Sequence, residues 1–337
     1  MLISNERLRQ ILGGLWLLDG LLQLQPGMFT MNLVKGIMAP NLQWQPVLVS
    51  ASLSWIVQIV TQHLVMINWT IAMIQIALGI CIVVGFRLKA VLVMSVIWAL
   101  IVWYAGEGMG LLLTGQATSL TGAPGAVLLY ALLALALYPH QKPYIALTSA
   151  ERENPARRLL IDKTYLLSRN HLRWALAGFW LLAALLQFQP YWWQPEHISQ
   201  AIQGVEVPGT LSGVLVSPSL HWFADVASGR ETLINLFLIL LSPGLAIGLI
   251  VVQKGRWLRS LLLLSILFSL LIWWATEAFG MVFTGMATDV NSGPLLILVA
   301  LACWPDARFV ALEKRNTAPL PSLPRMKETI ELSIDRH

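Results

Sequence analysis

Three acidic residues, Asp19, Glu107 and Glu277, fall inside stretches that otherwise read as membrane helix. A carboxyl group there can hold or pass a proton, bind a ligand, or tie down backbone. Its insertion costs on the order of 2.5–3.5 kcal/mol at the bilayer centre, which makes it a functional candidate by default. The glutamates sit in matching segments, WYAGEGMGLLLTGQAT (103–118) and WWATEAFGMVFTGMAT (273–288). Counting from Lys89 places Glu107 about 27 Å along a helix, near its outer end, and counting from Arg259 does the same for Glu277.

Trp103, Glu107, Gly110 and Thr114 recur at helical spacing along one stripe, as do Trp273, Glu277, Gly280 and Thr284. Glycine on that stripe admits a close neighbour, so the stripe is expected to face protein and to turn both glutamates towards a shared outward-facing cavity. Three readings stay open: a ligand or proton site, a clamp on outer-loop backbone, or indifferent interfacial placement. Asp19 lies deeper, about 15 Å beyond Arg9. Its matching residue is Ala183. A protonated aspartate bonded to a neighbouring helix, a proton relay and a substrate contact all suit it.

The elements that must carry these acids are apolar. The 337 residues are 57% hydrophobic and only 12% charged, against about 25% charged in a soluble domain, which points to an integral membrane protein. The chain is also duplicated. LRQILGGLWLLDGLLQLQP (8–26) matches LRWALAGFWLLAALLQFQP (172–190), Asn68 matches Asn235, and Arg87/Lys89 match Lys254/Arg256. Each half offers four apolar segments, near 8–25, 64–86, 90–113 and 123–138, then 172–189, 233–252, 258–283 and 294–304. The expectation is an all-α protein of eight transmembrane helices, with a first repeat over 1–138, a linker over 139–171, a second repeat over 172–305 and a tail over 306–337. An even number of spans per half makes the repeats parallel, related by a pseudo-two-fold axis along the membrane normal.

Charge sets the orientation. With both termini cytoplasmic, all 22 Lys and Arg except Lys35 and Arg230 lie inside, as the positive-inside rule demands of a bacterial-type plasma membrane protein. The net charge of +5 is then topological anchoring against anionic lipid, and no nucleic-acid partner is expected. The outer connections, about 26–63 and 190–230, are expected to lie along the interface or fold back as a cap.

Other chemistries find little footing. Cys81 and Cys303 each stand alone in apolar runs and read as separate thiols. His63 and His221 occupy different repeat positions without ligand spacing, so no metal site is expected. No pair of histidines suits a haem, and no nucleotide-binding glycine loop or GxSxG is present. Gln23 and Gln25, matched by Gln187 and Gln189, are expected to satisfy loop backbone or to contact ligand headgroups. The 15 tryptophans read as interfacial belt and packing, with Trp103, Trp273 and Trp274 able to flank a flat ligand.

The opening LGGLWLLDGLLQLQP (12–26), the capped outer side and the glycine-rich GMGLLLTG (108–115) resemble the DoxX/DoxD-like membrane family, here as a tandem of its usual single four-helix unit. The resemblance implies a helical bundle with quinone or sulfur-redox association and a partner subunit carrying the redox centre. It implies no catalytic residue. Three function classes follow: a membrane subunit of a quinone-linked redox system with its site near Glu107 and Glu277, a small-solute or ion transporter or channel, and a non-enzymatic scaffold.

Overall fold

A computed structural model of the chain describes residues 3–140, 164–207 and 209–305. The first half comprises α1 (Asn5–Leu22), α2 (Val47–Gln62), α3 (Leu64–Val84), α4 (Leu88–Ala105) and α5 (Ala126–Leu137). A two-residue ladder pairs β1 (Pro139–His140) with β2 (Thr164–Tyr165). The second half holds α6 (Arg169–Gln187), α7 (His197–Gln203), α8 (Leu211–Leu215), α9 (Ser217–Ala227), α10 (Glu231–Val251), α11 (Gly255–Ala275) and α12 (Ser292–Ala302). Most of the expected linker and the whole tail lie outside the described residues.

Polar side chains pin the helix ends where backbone groups lack partners. The Arg9 guanidinium donates to the Ile82 and Val83 carbonyls at the end of α3. At the opposite end the Asn68 amide donates to the Gln23 carbonyl at 2.9 Å. Matching bonds run in the second half, from Arg173 to the Gln253 carbonyl (3.2 Å) and from Asn235 to the Gln187 carbonyl (3.1 Å). Between the ends, Trp16 donates to the Ser95 hydroxyl at 2.8 Å and Trp180 to that of Ser265 at 2.9 Å.

Among the described residues, four helices, α3, α4, α10 and α11, are long and apolar enough to cross a membrane. Their apolar side chains largely face outward: Met66, Met73, Val84, Met94 and Leu240 are all more than half exposed. So large an apolar surface calls for lipid. The short helices α5 (12 residues) and α12 (11 residues) differ. They are apolar all round, and they pack against each other and against α4 and α11 respectively, within one unit that extends to Trp304.

The third apolar segment of each half ends sooner than the sequence suggests. Helical geometry stops at Ala105 and Ala275, not at Leu113 and Phe283. Four successive residues then take left-handed conformations, Gly108 to Leu111 in one half and Ala278 to Met281 in the other. An α-helix of L-residues cannot continue through that geometry. The stripe from Trp103 to Thr114 on one helix, and its copy from Trp273 to Thr284, therefore do not form.

The outer connections do fold back over the bundle. In the first, Asn41 donates to the Gly106 carbonyl and Gln45 to the Gly108 carbonyl (2.9 Å), closing the open end of α4. In the second, α9 packs on α11, where Trp274 donates to the Ser219 hydroxyl at 2.9 Å. The two cysteines are separate free thiols. Replacing Asn68 or Asn235 by Ala leaves a buried carbonyl without its donor, which costs about 1–3 kcal/mol. A lowered melting temperature in detergent for both variants is the expected outcome.

Candidate functional site

Each glutamate caps the helix that follows it. Glu107 accepts the Val127 N–H through Oε1 at 3.2 Å, at the start of α5. Glu277 accepts the Ser292 N–H (3.3 Å), the Gly293 N–H (3.0 Å) and the Ser292 hydroxyl, at the start of α12. A carboxylate suits a helix N-terminus because it answers both the open N–H groups and the positive end of the dipole. The tryptophan one turn earlier fixes the turn. Trp103 donates to the Pro124 carbonyl at 2.7 Å and Trp273 to the Val290 carbonyl at 2.9 Å. Gly110 has φ +60° and sits so close to Pro124 that a Cβ would overlap its carbonyl. At Gly125, φ +118°, a Cβ would overlap the Glu107 carboxylate itself.

The copies then diverge. Glu277 is 1% exposed, with both oxygens engaged. Glu107 keeps Oε2 without a hydrogen-bond partner, because Ala126 stands where the second half has the Ser292 hydroxyl. Glu107 lines two adjoining cavities, and Glu277 lines neither. The expected shared cavity between the two glutamates is not what the fold builds.

The first cavity, about 340 Å³, is a polar vestibule under the cap, walled by Asn41, Glu107, Thr121, Thr288, Asp289 and Asn291 among others. The second, about 240 Å³, runs between α1, α3 and α4, with Ile37, Ile67, Ile71, Ile101 and Val102 on its wall. The two meet at Gly106, Glu107, Thr288 and Asp289. Ile56, Ile101 and Ala105 belong both to the second cavity and to an outer groove beside Leu100 and Tyr104, so the apolar cavity adjoins the lipid-facing side of α4.

Asp19, expected as the deepest acid, is 1% exposed and lines the apolar cavity. Four residues that line this cavity each carry a buried acceptor oxygen without a hydrogen-bond partner: Asp19 Oδ1, Gln23 Oε1, Gln75 Oε1 and Glu107 Oε2. The Trp98 indole N–H is likewise unengaged. A buried polar atom left unpaired costs about 1–3 kcal/mol, so a cluster of them marks a place built for something other than stability. The Tyr130 hydroxyl lies beside Asp19 without a hydrogen bond of good geometry. Among the described residues, no lysine, arginine or histidine lines either cavity.

Thr114 and Thr284 stand apart from this arrangement. Their hydroxyls donate back to the Leu111 and Met281 carbonyls, at 2.7 Å each, and shape the loops. Trp103 and Trp273 serve the turns described above. His221 faces Glu206 at 3.3 Å. Asp289, Gln75 and Trp98 escaped the sequence reading. The signal was there in the differences between halves: Thr288-Asp289 stands opposite Thr118-Ser119, Gln75 opposite Ser242, and Trp98 opposite Phe268.

Asp289 accepts from the Asn291 N–H at 2.6 Å and the Thr288 hydroxyl at 2.9 Å. Burial nevertheless pushes its carboxyl above the ordinary range. The folded protein then holds this proton more tightly than the unfolded chain does. That contribution to stability is full below the ordinary carboxylate value of about 3.9 and is lost as pH rises through the folded value.

Comparison with family models, with curated proteins and with solved structures found no match. The fold and site define a helical protein of a lipid environment that carries a partly apolar, acid-bearing cavity beneath a cap of loops.

Two outcomes test this geometry in thermal melts. Glu277→Gln sets an amide against the Gly293 N–H and lowers stability by about 2–3 kcal/mol, while Glu107→Gln, with fewer bonds to lose, costs about 1 kcal/mol. Asp289→Asn is more stable than the parent at neutral pH, and that gain disappears near pH 3.

Proposed function

We propose that this chain is the membrane subunit of a quinone-linked redox system, and that its apolar cavity holds the headgroup of a quinol. The observation that carries this is the cluster of unpartnered acceptors, on Asp19, Gln23, Gln75 and Glu107, at the polar end of an apolar cavity next to a lipid-facing groove. Such a site asks for a ligand that dissolves in lipid and ends in hydrogen-bond donors. A quinol presents two O–H groups on a flat ring with an apolar tail. Oxidising it to the quinone releases two electrons and two protons. The electrons pass to a redox centre on a partner subunit, and Asp19 and Glu107 are placed to accept the protons as general bases.

The wider arrangement belongs to the same proposal. Eight spans form two parallel four-helix repeats in a bacterial-type plasma membrane with both termini cytoplasmic. The matched hydrogen bonds Trp16–Ser95 and Trp180–Ser265, and Asn68–Gln23 and Asn235–Gln187, support the repeat. The loop-borne polar vestibule lies beyond the outer end of α4, where protons would leave. A DoxX-like assignment is compatible with this reading and rests on the sequence resemblance alone.

The test is direct. Solvent extraction of the purified protein yields quinone, and calorimetric titration with a short-chain quinol gives saturable binding. Asp19→Asn combined with Glu107→Gln weakens that binding at least about tenfold, the loss of one or more charge-assisted hydrogen bonds. Absence of binding, or binding indifferent to the double variant, refutes the proposal.

A further inference from the structure

The halves match in sequence, so two equivalent cavities might be expected. They are not equally equipped. Where the first half places Asp19, Gln75 and Trp98 on its cavity wall, the second places Ala183, Ser242 and Phe268, all buried. Phe268 stacks on Trp180 with ring centroids 5.1 Å apart. Gln23 and its counterpart Gln187 both leave the side-chain oxygen unpartnered, but Gln23 lines the first cavity while Gln187 spends its amide on the Thr118 hydroxyl at 2.8 Å. Met28 is matched by Trp192, whose indole donates to the Ala117 carbonyl at 3.1 Å. The second half's glutamate is consumed by the cap on α12.

The loops exchange roles across the halves. The 114–120 loop of the first half reaches Gln187 and Trp192 of the second. In return, the 284–289 loop of the second half reaches the first, where Gly285 approaches Gly27 and Met286 approaches Gly36. Asp289 and Thr288 thereby enter the wall of the first half's cavity. In the opposite direction the residue matching Asp289 is Ser119, which brings no charge.

We infer that the chain carries one ligand site, built by the first half around Asp19, Gln75 and Glu107 and closed by Thr288 and Asp289 from the second, while the second half's equivalent has become a structural plug. Each chain therefore takes a single hydrogen-bond-donating, lipid-soluble ligand. Glu277 is a structural residue, and Asp289 is a specificity residue lent across the halves. The inference rests on reading the apolar cavity as a ligand site, but it does not need the ligand to be a quinol.

A hydrophobic carbodiimide separates the two ideas. Such a reagent enters apolar membrane sites and reacts with protonated carboxyl groups. The carboxyl oxygen adds to the central carbon of the N=C=N unit, its proton moves to one nitrogen, and the acyl group then migrates to give a stable N-acylurea. The intact protein in detergent is treated with dicyclohexylcarbodiimide at mildly acidic pH and mapped by mass spectrometry. The expected result is one adduct per chain, on Asp19 or Glu107, with Glu277 unmodified while the protein remains folded. Labelling of Glu277 at a similar rate, or no labelling of either Asp19 or Glu107, overturns the one-site inference. A short-chain quinol added beforehand reads the other question. If it fails to protect while the single adduct still forms, the quinol reading falls and the one-site inference stands. The stoichiometry is checked with the Glu107→Gln, Asp19→Asn double variant, which loses the adduct. If an adduct persists in that variant on a second-half carboxyl other than Asp289, which lines the same cavity, the inference is again overturned.

Discussion

A helix that begins within an apolar slab must find acceptors for its first N–H groups, because no water is at hand to serve them. In α5 and α12 a glutamate from just past the end of the preceding helix meets the need. The rest of the outer architecture depends on this clamp. Carrying the carboxylate back to the next helix requires the chain to leave α-geometry just after Ala105 and Ala275. That turn needs left-handed residues and a tryptophan to hold its carbonyl. It opens the end of α4, which the cap then closes through Asn41 and Gln45.

The same clamp explains how a structural device can become a site. In the second half a serine hydroxyl completes the cap and Glu277 has nothing left to offer. In the first half alanine occupies that position, and one carboxylate oxygen is left buried and unpartnered. Around it gather other polar groups that no fold requires, Asp19 and Gln75 within apolar helices. Their cost falls on stability.

The helix cap is thus complete at Glu277 and incomplete at Glu107. Two adjoining cavities of opposite character meet at Glu107 and Asp289, one apolar and beside lipid, one polar and beneath the cap. A group at that junction is in contact with both environments.

The sequence by itself determined the apolar character, the helical content, the colinear match of the halves and the acids worth watching. These follow from composition and periodicity, which are local. It also placed Glu107 near the end of its helix by simple counting. What only the tertiary structure decided was the fate of each acid. Helical spacing implied a continuous stripe to Thr114, but close approach of the Pro124 carbonyl and a run of left-handed residues broke it, and backbone strain of that kind has no one-dimensional signature at Met109 or Phe279. Nor could spacing reveal that Asp289, remote in the chain, would close the cavity around Asp19. That contact arises from loops crossing between the halves, and hydrogen-bond satisfaction at Glu277 but not at Glu107 depends on a single neighbour brought near by folding.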